Sequence, residues 1–485
     1  MVNKSVENKS VEKPAIVFGT DGWRGLLGTE VNMDNIQRVA QAFATYITQN
    51  GKTLKVVIGY DGRTQSDAFA SKFAEVISGN GIEVLLSDAI IPTPVVSFTC
   101  RSANCDAGVM ITASHNPPEY NGLKFKTAQG SPFATEETAK VESLIDTQPI
   151  QRSTRGISKI NLLAPYLDHI ENLIDFDAIR QAGLCVAIDS MAGAGMSILE
   201  KALLKHGIDA KTIYGQATPN FSGRLAEPIE KNLKPLKLLL KQFNFSAGVA
   251  TDGDADRLGV LTGSGKWLNI QECILYLSAY YINSRKVKGP IVKTASVTSK
   301  LNQLLNINEN EIIDVPVGFK YVAEAMMQHQ AAFGAEESGG FGFREHIPDR
   351  DGIFSALVFL EMMAKEGFNS LDEFLKAKRS AHGSIHYART DINNDDPQRH
   401  QVLPKLLTEP PRQVDVFKIV DITIFKNSRG LINGVKFHLE GVTRWLLIRV
   451  SETEPIIRIY AEAETPGEVK SLLAAGKNLF FADCR

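Results

Sequence analysis

The sequence predicts an α/β protein in which three related α/β modules are followed by one α+β module. Short apolar, β-rich runs alternate with helical stretches, and this pattern restarts twice along the chain. The C-terminal part instead contains several strand-like runs and one closing helix. A chain of 485 residues is also long enough to form several domains.

The first α/β module is predicted from a strand at 55–61 and a helix at about 65–78. Two further apolar runs, 82–88 and 107–112, are predicted to be strands. Buried strands that alternate with helices indicate a sheet covered by helices on its faces.

The second and third modules repeat this pattern. The second begins at 184–195 and ends in a strand that runs into acidic residues at 246–256. The third begins at 289–305 and continues with a strand at 311–318 and a helix near 321–329. The repetition predicts similar sheets in all three modules.

The C-terminal module is predicted to contain four strands and a helix at about 466–479, with a polar, proline-containing stretch at 389–401 near its beginning. Residues 1–13 repeat NKSVE in tandem and are predicted to be a disordered tail. The predicted domains are 14–155, 156–262, 263–375 and 376–485.

Composition disfavours several classes of function. A net charge of −2 favours neither nucleic acid nor a membrane surface as a partner, and the apolar runs are too short to span a bilayer. The chain begins without a signal-peptide pattern, and its five cysteines contain no CxxC pair, so a cytoplasmic location is expected. Neither a P-loop nor a complete dinucleotide fingerprint occurs. A monomer and a homodimer both stay open.

The stretch DGDADR at 252–257 is a candidate metal site. Asp252, Asp254 and Asp256 alternate at the end of a predicted strand, and three close carboxylates repel one another unless a cation holds them. Oxygen ligands at this density suit Mg²⁺ or Ca²⁺. An EF-hand is disfavoured because its loop needs a glycine where this chain has Arg257. The alternative is a solvated acidic turn.

Ser114 stands directly before His115, which leaves three alternatives for its role. A hydrolase nucleophile is weakly supported, because a nucleophile elbow needs glycines where this chain has Thr112 and Asn116, and an adjacent histidine tends to point away from its neighbour. A cap or turn serine is common before prolines. The third alternative, a serine that carries a phosphate, needs a metal, which the acidic stretch would supply.

Two further loops carry side chains suited to a sugar phosphate. In GAEESGG at 334–340, carboxylates and a hydroxyl precede glycines and match the hydroxyls of a sugar. Segment 449–458 combines two guanidiniums and two hydroxyls, which suit a phosphate: Arg449, Ser451, Thr453 and Arg458. An ordinary polar loop or turn is the alternative for each.

Five motifs together resemble the α-D-phosphohexomutase family. They are FGTDGWRG (18–25), TASHNP (112–117), DGDADR, GAEESGG and SETEP (451–455), in the order and at the approximate spacing found in that family. The resemblance covers nearly the whole chain after the tail. It implies four domains around a central cleft, with mixed sheets in the first three.

The resemblance also implies a role for each candidate residue. Ser114 is the expected phosphoserine, and its phosphate is expected to complete the coordination of Mg²⁺ on the three aspartates. The residues expected to line the reaction centre are Arg24, His115, Lys124 and Arg257. Those expected to contact the sugar are Glu336, Ser338, Gly318, Lys320 and Arg350. Those expected to bind the distal phosphate are Arg449, Ser451, Thr453 and Arg458.

The implied activity is the interconversion of glucose 1-phosphate and glucose 6-phosphate through a glucose 1,6-bisphosphate intermediate. Glucose is the first choice because members that act on mannose or glucosamine phosphates more often have histidine where this chain has Gly340. The proton acceptor stays open among His115, Lys124 and the segment near Arg350.

Two departures and two rival classes accompany this expectation. Arg350 stands where glucose-type members often have lysine, and arginine is a poor base. Glu452 replaces the usual glycine of the last motif and is predicted to face solvent.

The rival functions are a metal-dependent phosphatase or serine hydrolase, and a non-catalytic protein that binds sugar phosphates.

Overall fold

The computed structural model describes residues 16–19, 21–304, 312–427, 430–451 and 455–482, without the side chains of Asn302, Pro397 and Ala482. The predicted tail at 1–13 lies outside the described residues. Four β-sheets organise the described residues. We name each sheet with the helices that pack on it modules 1 to 4, in chain order.

Module 1 contains a mixed sheet of six strands. Its strands are β1 (Trp23–Leu26), β2 (Lys55–Tyr60), β3 (Glu83–Ser87), β4 (Ala107–Ile111), β5 (Tyr120–Thr127) and β6 (Ile157–Ile160). Its helices are α1 (Met33–Asn50), α2 (Ser66–Gly79), α3 (Thr93–Ser102) and α4 (Thr135–Ser143). The strand order is β1-β5-β4-β2-β3-β6. β5 is antiparallel to both of its neighbours, whereas β4, β2, β3 and β6 are parallel.

Module 2 contains a smaller mixed sheet in the order β10-β9-β7-β8. The elements are α5 (Leu163–Asn172), α6 (Phe176–Gln181), β7 (Cys185–Asp189), α7 (Ile198–Lys205), β8 (Asp209–Ile213), α8 (Lys234–Gln242), β9 (Ala247–Thr251) and β10 (Leu258–Thr262). β10 is antiparallel to β9, and the other pairs are parallel.

Module 3 repeats this plan in the order β12-β11-β13-β14, with β14 antiparallel to β13. The elements are α9 (Ile270–Ala279), β11 (Ile291–Thr294), α10 (Leu301–Leu304), β12 (Ile312–Val315), α11 (Phe319–His329), β13 (Phe333–Glu336), β14 (Gly340–Phe343), α12 (Gly352–Lys365) and α13 (Leu371–His382). A π-helical turn at Tyr280–Ser284 extends α9.

Equivalent hairpins carry the predicted functional loops of the first three modules. In each module, a strand with a parallel neighbour turns into its antiparallel partner: β4 into β5, β9 into β10, and β13 into β14. The three turns contain Ser114, the acidic stretch 252–257 and Ser338. The repeated topology therefore places each loop at the same end of its sheet.

Module 4 contains an antiparallel sheet of six strands, whereas the sequence predicted four. The elements are β15 (His386–Asn393), α14 (Val402–Thr408), β16 (Gln413–Val414), β17 (Phe417–Lys426), β18 (Ile432–Leu439), β19 (Trp445–Val450), β20 (Ile456–Ala463) and α15 (Pro466–Ala482). The order is β15-β20-β19-β18-β17-β16. The two missed strands lie at the sheet edges: β15 includes part of the polar stretch, and β16 has only two residues.

Several apolar clusters form the interior of the described residues, and modules 1, 2 and 3 each have one of their own. Two others show how the modules are joined. One continues from module 1 through modules 2 and 3, and it includes Val57, Val186, Ile291 and Phe333. Module 4 has a core of its own around Phe437 and other buried residues of its sheet. In the described ranges, no helix combines the length and apolarity that crossing a bilayer requires.

Candidate active site

The loop between β4 and β5 holds Ser114 in an unusual backbone conformation. Ser114 is 1% exposed and has φ of +53°, a left-handed conformation that costs a residue with a side chain roughly 1 kcal/mol or more. Its amide donates to Thr112 Oγ1 at 2.8 Å. The loop must therefore be stabilised by its surroundings. Of the predicted alternatives of a cap or a turn serine, the turn is observed, since no helix begins at Ser114.

Arg63, which follows β2, provides that stabilisation. Its guanidinium donates four hydrogen bonds to backbone carbonyls of this loop, at 2.6–2.9 Å: those of Ser114, Asn116, Pro117 and Tyr120. The buried carboxylate of Asp61 lies 3.3 Å from its Nε. On its other side, the guanidinium lies over the ring of Phe221 from module 2, 4.7 Å from the centroid.

The Ser114 hydroxyl points at the acidic loop of module 2. Ser114 Oγ donates to Asp252 Oδ2 at 3.1 Å. The backbone supports this approach: a Cβ on Gly253 would lie 2.3 Å from the Ser114 carbonyl oxygen, so only glycine fits there. His115 does not point away, since its Nδ1 lies 3.4 Å from Ser114 Oγ.

Asp252, Asp254 and Asp256 form one buried cluster, with ligand atoms within 4.8 Å of one another. Two of the carboxylate oxygens accept hydrogen bonds. Asp252 Oδ1 accepts from the amides of Asp256 and Arg257, and Asp254 Oδ2 accepts from Thr93 Oγ1 at 2.6 Å. Within the described residues, Asp254 Oδ1 and Asp256 Oδ1 have no hydrogen-bond partner.

These unpartnered oxygens fit a metal. A buried carboxylate oxygen without a partner is costly, and burial together with the carboxylates of Asp256 and Asp254 raises the pKa of Asp252 well above its usual range. A divalent cation would relieve both effects, and three carboxylates suit a hard cation such as Mg²⁺. The acidic loop could therefore hold a metal ion.

A network of cations surrounds the aspartates. Lys124 Nζ contacts Asp254 Oδ2 at 2.8 Å and Asp256 Oδ2 at 2.9 Å, and Arg350 contacts Asp256 at 2.9 Å. Arg257 is more distant, with Nε 3.9 Å from both Asp252 and Asp256.

Asp21 joins three of the cations to one another. Its Oδ2 lies 2.8 Å from Arg350, 3.1 Å from Arg24 and 3.3 Å from Lys124. Arg24 also donates to Asn116 Oδ1 at 2.8 Å, in the Ser114 loop. Asp21 therefore connects β1, β5 and the segment before α12 at the same centre.

Burial and charge set the protonation of this centre. Burial lowers the pKa of Lys124, but Asp21, Asp254 and Asp256 outweigh it and raise that pKa above the usual value. Burial raises the pKa of Asp254, but Lys124 outweighs it and leaves that pKa well below its usual range. For His115, burial and the nearby Arg257 and Arg24 lower the pKa well below 6.5. The structure thus places a charged lysine beside a neutral imidazole.

The sugar loop predicted at 334–340 lies against the same centre. Glu336 Oε1 accepts from Ser338 Oγ at 2.5 Å and from Arg350 Nη1 at 3.1 Å, so Arg350 links Glu336 to Asp256. A Cβ on Gly339, which has φ of +87°, would lie 2.4 Å from the backbone oxygen of Leu258. Close backbone contact with β10 thus fixes the sugar loop next to the acidic loop.

Gly318 and Lys320 lie at the start of α11. Gly318 has φ of +136° at the position before the helix, a conformation that favours glycine. Lys320 is 8% exposed, and its Nζ donates to Thr135 Oγ1 of module 1. These two residues therefore lie where modules 1 and 3 meet.

The predicted phosphate-binding residues form a second group on module 4. Arg449 and Arg458 face each other across β19 and β20, and Ser451 directly follows β19. Arg458 Nε lies 3.7 Å from Asp391 Oδ2. Thr453 and Glu452 lie outside the described residues.

Glu337, which belongs to the sugar loop, lies close to this second group. Burial and then the Glu337 carboxylate raise the pKa of Tyr460, a neighbour of Arg449 and Arg458 in the sheet of module 4. The same carboxylate accepts from Ser296 Oγ at 2.6 Å, after β11. Ala295, next to Ser296, packs in one cluster with Tyr460 and Trp445, so module 4 lies beside the sugar loop.

The structure brings Ser114, His115, Lys124, Arg24, Arg257, Arg350, Glu336 and the three aspartates into one centre. Sequence reasoning missed Asp21, Arg63 and Thr93. Asp21 belongs to a motif that was recognised, FGTDGWRG, and its charge was the available signal. Arg63 and Thr93 carried no such signal because each acts through partners far away in sequence.

Comparison with known proteins identifies the family. Three family models match, those of the phosphoglucomutase/phosphomannomutase α/β/α domains I, II and III, at residues 15–151, 164–265 and 271–381. A protein of Methanosphaera stadtmanae, named a probable phosphoglucosamine mutase, is 30% identical over 96% of this chain and 97% of that protein. The chain belongs to the phosphohexomutase family.

Other relatives agree on the family but carry different sugar names. A phosphoglucomutase/phosphomannomutase of Thermococcus kodakarensis is 28% identical over 96% of this chain and 98% of its own length. A solved structure from Thermus thermophilus, named as a phosphomannomutase, has a TM-score of 0.82 at 32% identity and covers 96% of this chain and 99% of that one. This phosphohexomutase is thus an enzyme of the mutase type, with the predicted arrangement of three α/β modules and an antiparallel fourth.

Proposed function

We propose that this phosphohexomutase interconverts glucose 1-phosphate and glucose 6-phosphate through a phosphoserine at residue 114 and a bound glucose 1,6-bisphosphate. One observation carries the proposal: Ser114 contacts Asp252, and Arg350 joins Asp256 to Glu336. A hydroxyl, a candidate metal site and a candidate sugar site therefore share one centre. Burial of Ser114 also supports transfer to a sugar over hydrolysis, because it limits access of water.

The chain's own charges suit a phosphoryl group on Ser114. Mg²⁺ held by Asp252, Asp254 and Asp256 would stabilise the charge of the transferring group as a Lewis acid. Lys124, Arg257 and Arg24 add fixed positive charge around the same point, which preorganises the site for a dianion.

The protons balance without an added reactant. When a sugar hydroxyl attacks phosphoserine, the bond from Ser114 Oγ to phosphorus breaks and a bond from the sugar oxygen to phosphorus forms. The hydroxyl proton then replaces the phosphoryl group on Ser114 Oγ. We assign this transfer to His115, whose Nδ1 lies 3.4 Å from Oγ, because the Lys124 ammonium is paired with three carboxylates.

The bisphosphate must then turn over and return its other phosphate to Ser114. Arg449, Ser451 and Arg458 would hold the phosphate that is not reacting, whichever end of the sugar it occupies, because both phosphates are dianions of the same shape. Their place on module 4, opposite the sugar loop, supports this role.

The choice of glucose rests on Gly340, because members that act on mannose or glucosamine phosphates more often have histidine at this position. The structure shows what Gly340 contacts. A Cβ at this position would lie 2.4 Å from Arg350 Cδ, so a larger residue would displace the arginine that holds Glu336. This chain therefore uses Arg350 where members with histidine at 340 would need another arrangement. Because arginine stays protonated, we assign to Arg350 the role of supplying positive charge and orienting Glu336, and not of transferring a proton.

A coupled assay with three substrates tests the proposal. Glucose 1-phosphate is expected to turn over faster than mannose 1-phosphate or glucosamine 1-phosphate. Ser114→Ala should abolish turnover, whereas the control Ser143→Ala, on the surface of α4, should retain it. Intact mass after incubation with glucose 1,6-bisphosphate should show one phosphate on the natural chain and none on Ser114→Ala.

Each result has a distinct consequence. Equal turnover by Ser114→Ala would refute the phosphoserine mechanism. A preference for glucosamine 1-phosphate would overturn the sugar assignment and leave the mechanism intact.

A further inference from the structure

A cavity of about 400 Å³ lies between modules 3 and 4, in a part of the structure that the proposed reaction does not use. One wall comes from β11, β12 and the segment after β11, and the other from β17, β18 and the turn between β18 and β19. Cavities of this size accommodate small metabolites. A molecule bound here would contact both modules.

Two buried lysines from opposite walls line the cavity. Lys293, on β11, is 3% exposed and pairs with Asp314 Oδ1 at 2.5 Å. Lys436, on β18, is 1% exposed, donates to Ala295 O at 2.8 Å and lies 4.1 Å from the centroid of the Trp445 ring. An ammonium has three donors, so the bond to Ala295 leaves Lys436 able to bind a further acceptor.

We propose that this cavity binds a phosphorylated small molecule, with its phosphate between Lys436 and Lys293 and hydroxyl donors from Ser299 and Thr443. Asp314, which also lines the cavity, already pairs with Lys293, whereas burial and Lys293 disfavour a charge on Lys436. A dianion between the two lysines would offset that cost. Arg444 at the rim adds a third cation, although it already pairs with Glu464 and Glu468.

The charged groups around Lys436 predict how binding depends on pH. Burial, and then Lys293, lower the pKa of Lys436 to about 7, and Asp314 and Glu462 only partly oppose this. The pKa of His438 is lowered by burial and by Lys436, so this imidazole stays neutral at neutral pH. Binding of a dianion therefore favours the charged form of Lys436, and affinity should fall as the pH rises above about 7.

Trp445 offers a local signal for the test. The chain has three tryptophans, so Trp23→Phe with Trp267→Phe leaves Trp445 alone, in contact with Lys436. Sulfate is the first probe because it stays a dianion across the pH range. We expect a saturable change in Trp445 emission at pH 6.5 and weaker binding at pH 8.5. In the same background, Lys436→Met should lose the response, whereas Arg458→Ala, on the active-site side of module 4, should retain it.

Two substitutions of opposite charge at Val442 test the site even if Lys436→Met does not fold. Val442 lines the cavity and is 68% exposed, so substitutions there should be tolerated. Val442→Glu should weaken sulfate binding about two- to fivefold and Val442→Lys should strengthen it by a similar factor. Equal binding by these two variants, no saturable response, or a response lost in Arg458→Ala would each overturn the site.

Glycerol 3-phosphate, used beside sulfate, tests the class of ligand. The cavity is larger than one inorganic anion requires, so the ester should bind more tightly than sulfate. If the two probes bind equally, the site recognises the anion alone and the proposal of a phosphorylated small molecule is wrong. The mutase assay plays no part in this test, so its outcome is independent of the proposed reaction.

Discussion

Modules 1 to 3 and module 4 are held in the molecule in different ways. One apolar cluster continues through the first three modules, beside a separate cluster within each of them, and buried ion pairs such as Lys126 to Asp349 join module 1 to module 3. Module 4 has its own core and meets module 3 through a small cluster around Trp445 and through hydrogen bonds to Glu462. The first three modules should therefore move as one body, against which module 4 can reorient.

This difference matches the chemistry that we propose for each part. Phosphoryl transfer at Ser114 needs fixed distances among the serine, the aspartates and the cations, and a shared core provides them. Module 4 would hold the non-reacting phosphate, and the sugar must turn between the two transfers. An interface formed by a small apolar cluster and hydrogen bonds to Glu462 suits a part that opens and closes.

Arg63→Met should have the largest effect, because it removes a charge from within the rigid part. Four loop carbonyls and the carboxylate of Asp61 would lose their buried partner. We expect a loss of about 3–5 kcal/mol in the free energy of unfolding, measured by chemical denaturation, with a fall in kcat. The control Arg180→Met removes an exposed guanidinium and should cost little. A loss of less than about 1 kcal/mol for Arg63→Met would contradict this account of the loop.

Glu462→Gln should loosen module 4 and leave the other modules unchanged. The carboxylate accepts from Thr298 Oγ1 at 2.6 Å, from the amide of Ser299 at 3.0 Å and from Trp445 Nε1. We expect a local cost of about 1–3 kcal/mol, seen as faster hydrogen exchange in β19 and β20. Glu464→Gln, at a more exposed carboxylate, is the matched control. Equal acceleration in β2 and β4 would show that all four modules respond as one body.

Lys436→Met should change how stability depends on pH. The pKa of Lys436 is about 7 in the folded protein and normally near 10.5. Between these values the unfolded chain holds a proton that the folded protein lacks, so the free energy of unfolding of the natural chain rises with pH. Relative to the variant, the rise should approach about 1.4 kcal/mol per pH unit above pH 7 and vanish below it. Denaturation curves at pH 6, 7, 8 and 9 measure this, and a constant difference would refute the low pKa.

Lys55→Met should have the smallest effect, although it lies in the rigid part. Lys55 Nζ and Glu83 Oε1 are 3.5 Å apart across β2 and β3, and both side chains are partly exposed. Such surface pairs contribute less than about 1 kcal/mol because water screens them. A larger loss of unfolding free energy would mean that this surface ion pair, and not only the buried core, stabilises the sheet of module 1.

The sequence predicted most of the strands and helices that a local pattern of residues indicates. The predicted strands at 55–61, 82–88 and 107–112 correspond to β2, β3 and β4, and the helix predicted near 321–329 corresponds to α11. Apolar β-rich runs are visible without knowing their partners. β1 and β15 were missed because β1 is short and contains glycine, and β15 is a polar edge strand.

The residues of the candidate site also divide into those with a local signal in the sequence and those whose role depends on tertiary contacts. Ser114, the three aspartates and Glu336 were predicted because unusual residue types cluster within short motifs. Arg63 was not, because its role exists only when β2 lies beside the β4–β5 loop and Phe221 covers it from another module. The orientation of His115 toward Ser114 also differed from expectation, since the loop bends through a left-handed residue.

By itself, the sequence determined the order of α/β modules and the residue types of a phosphohexomutase, because periodicity and motif chemistry are properties of neighbouring residues. Only the tertiary structure decided which charges meet: Asp21 with Lys124 and Arg350, and Lys436 with the carbonyl of Ala295. The physical reason is that the energy of a buried charge depends on every group around it. Those groups come from strands that only the packed sheets bring together.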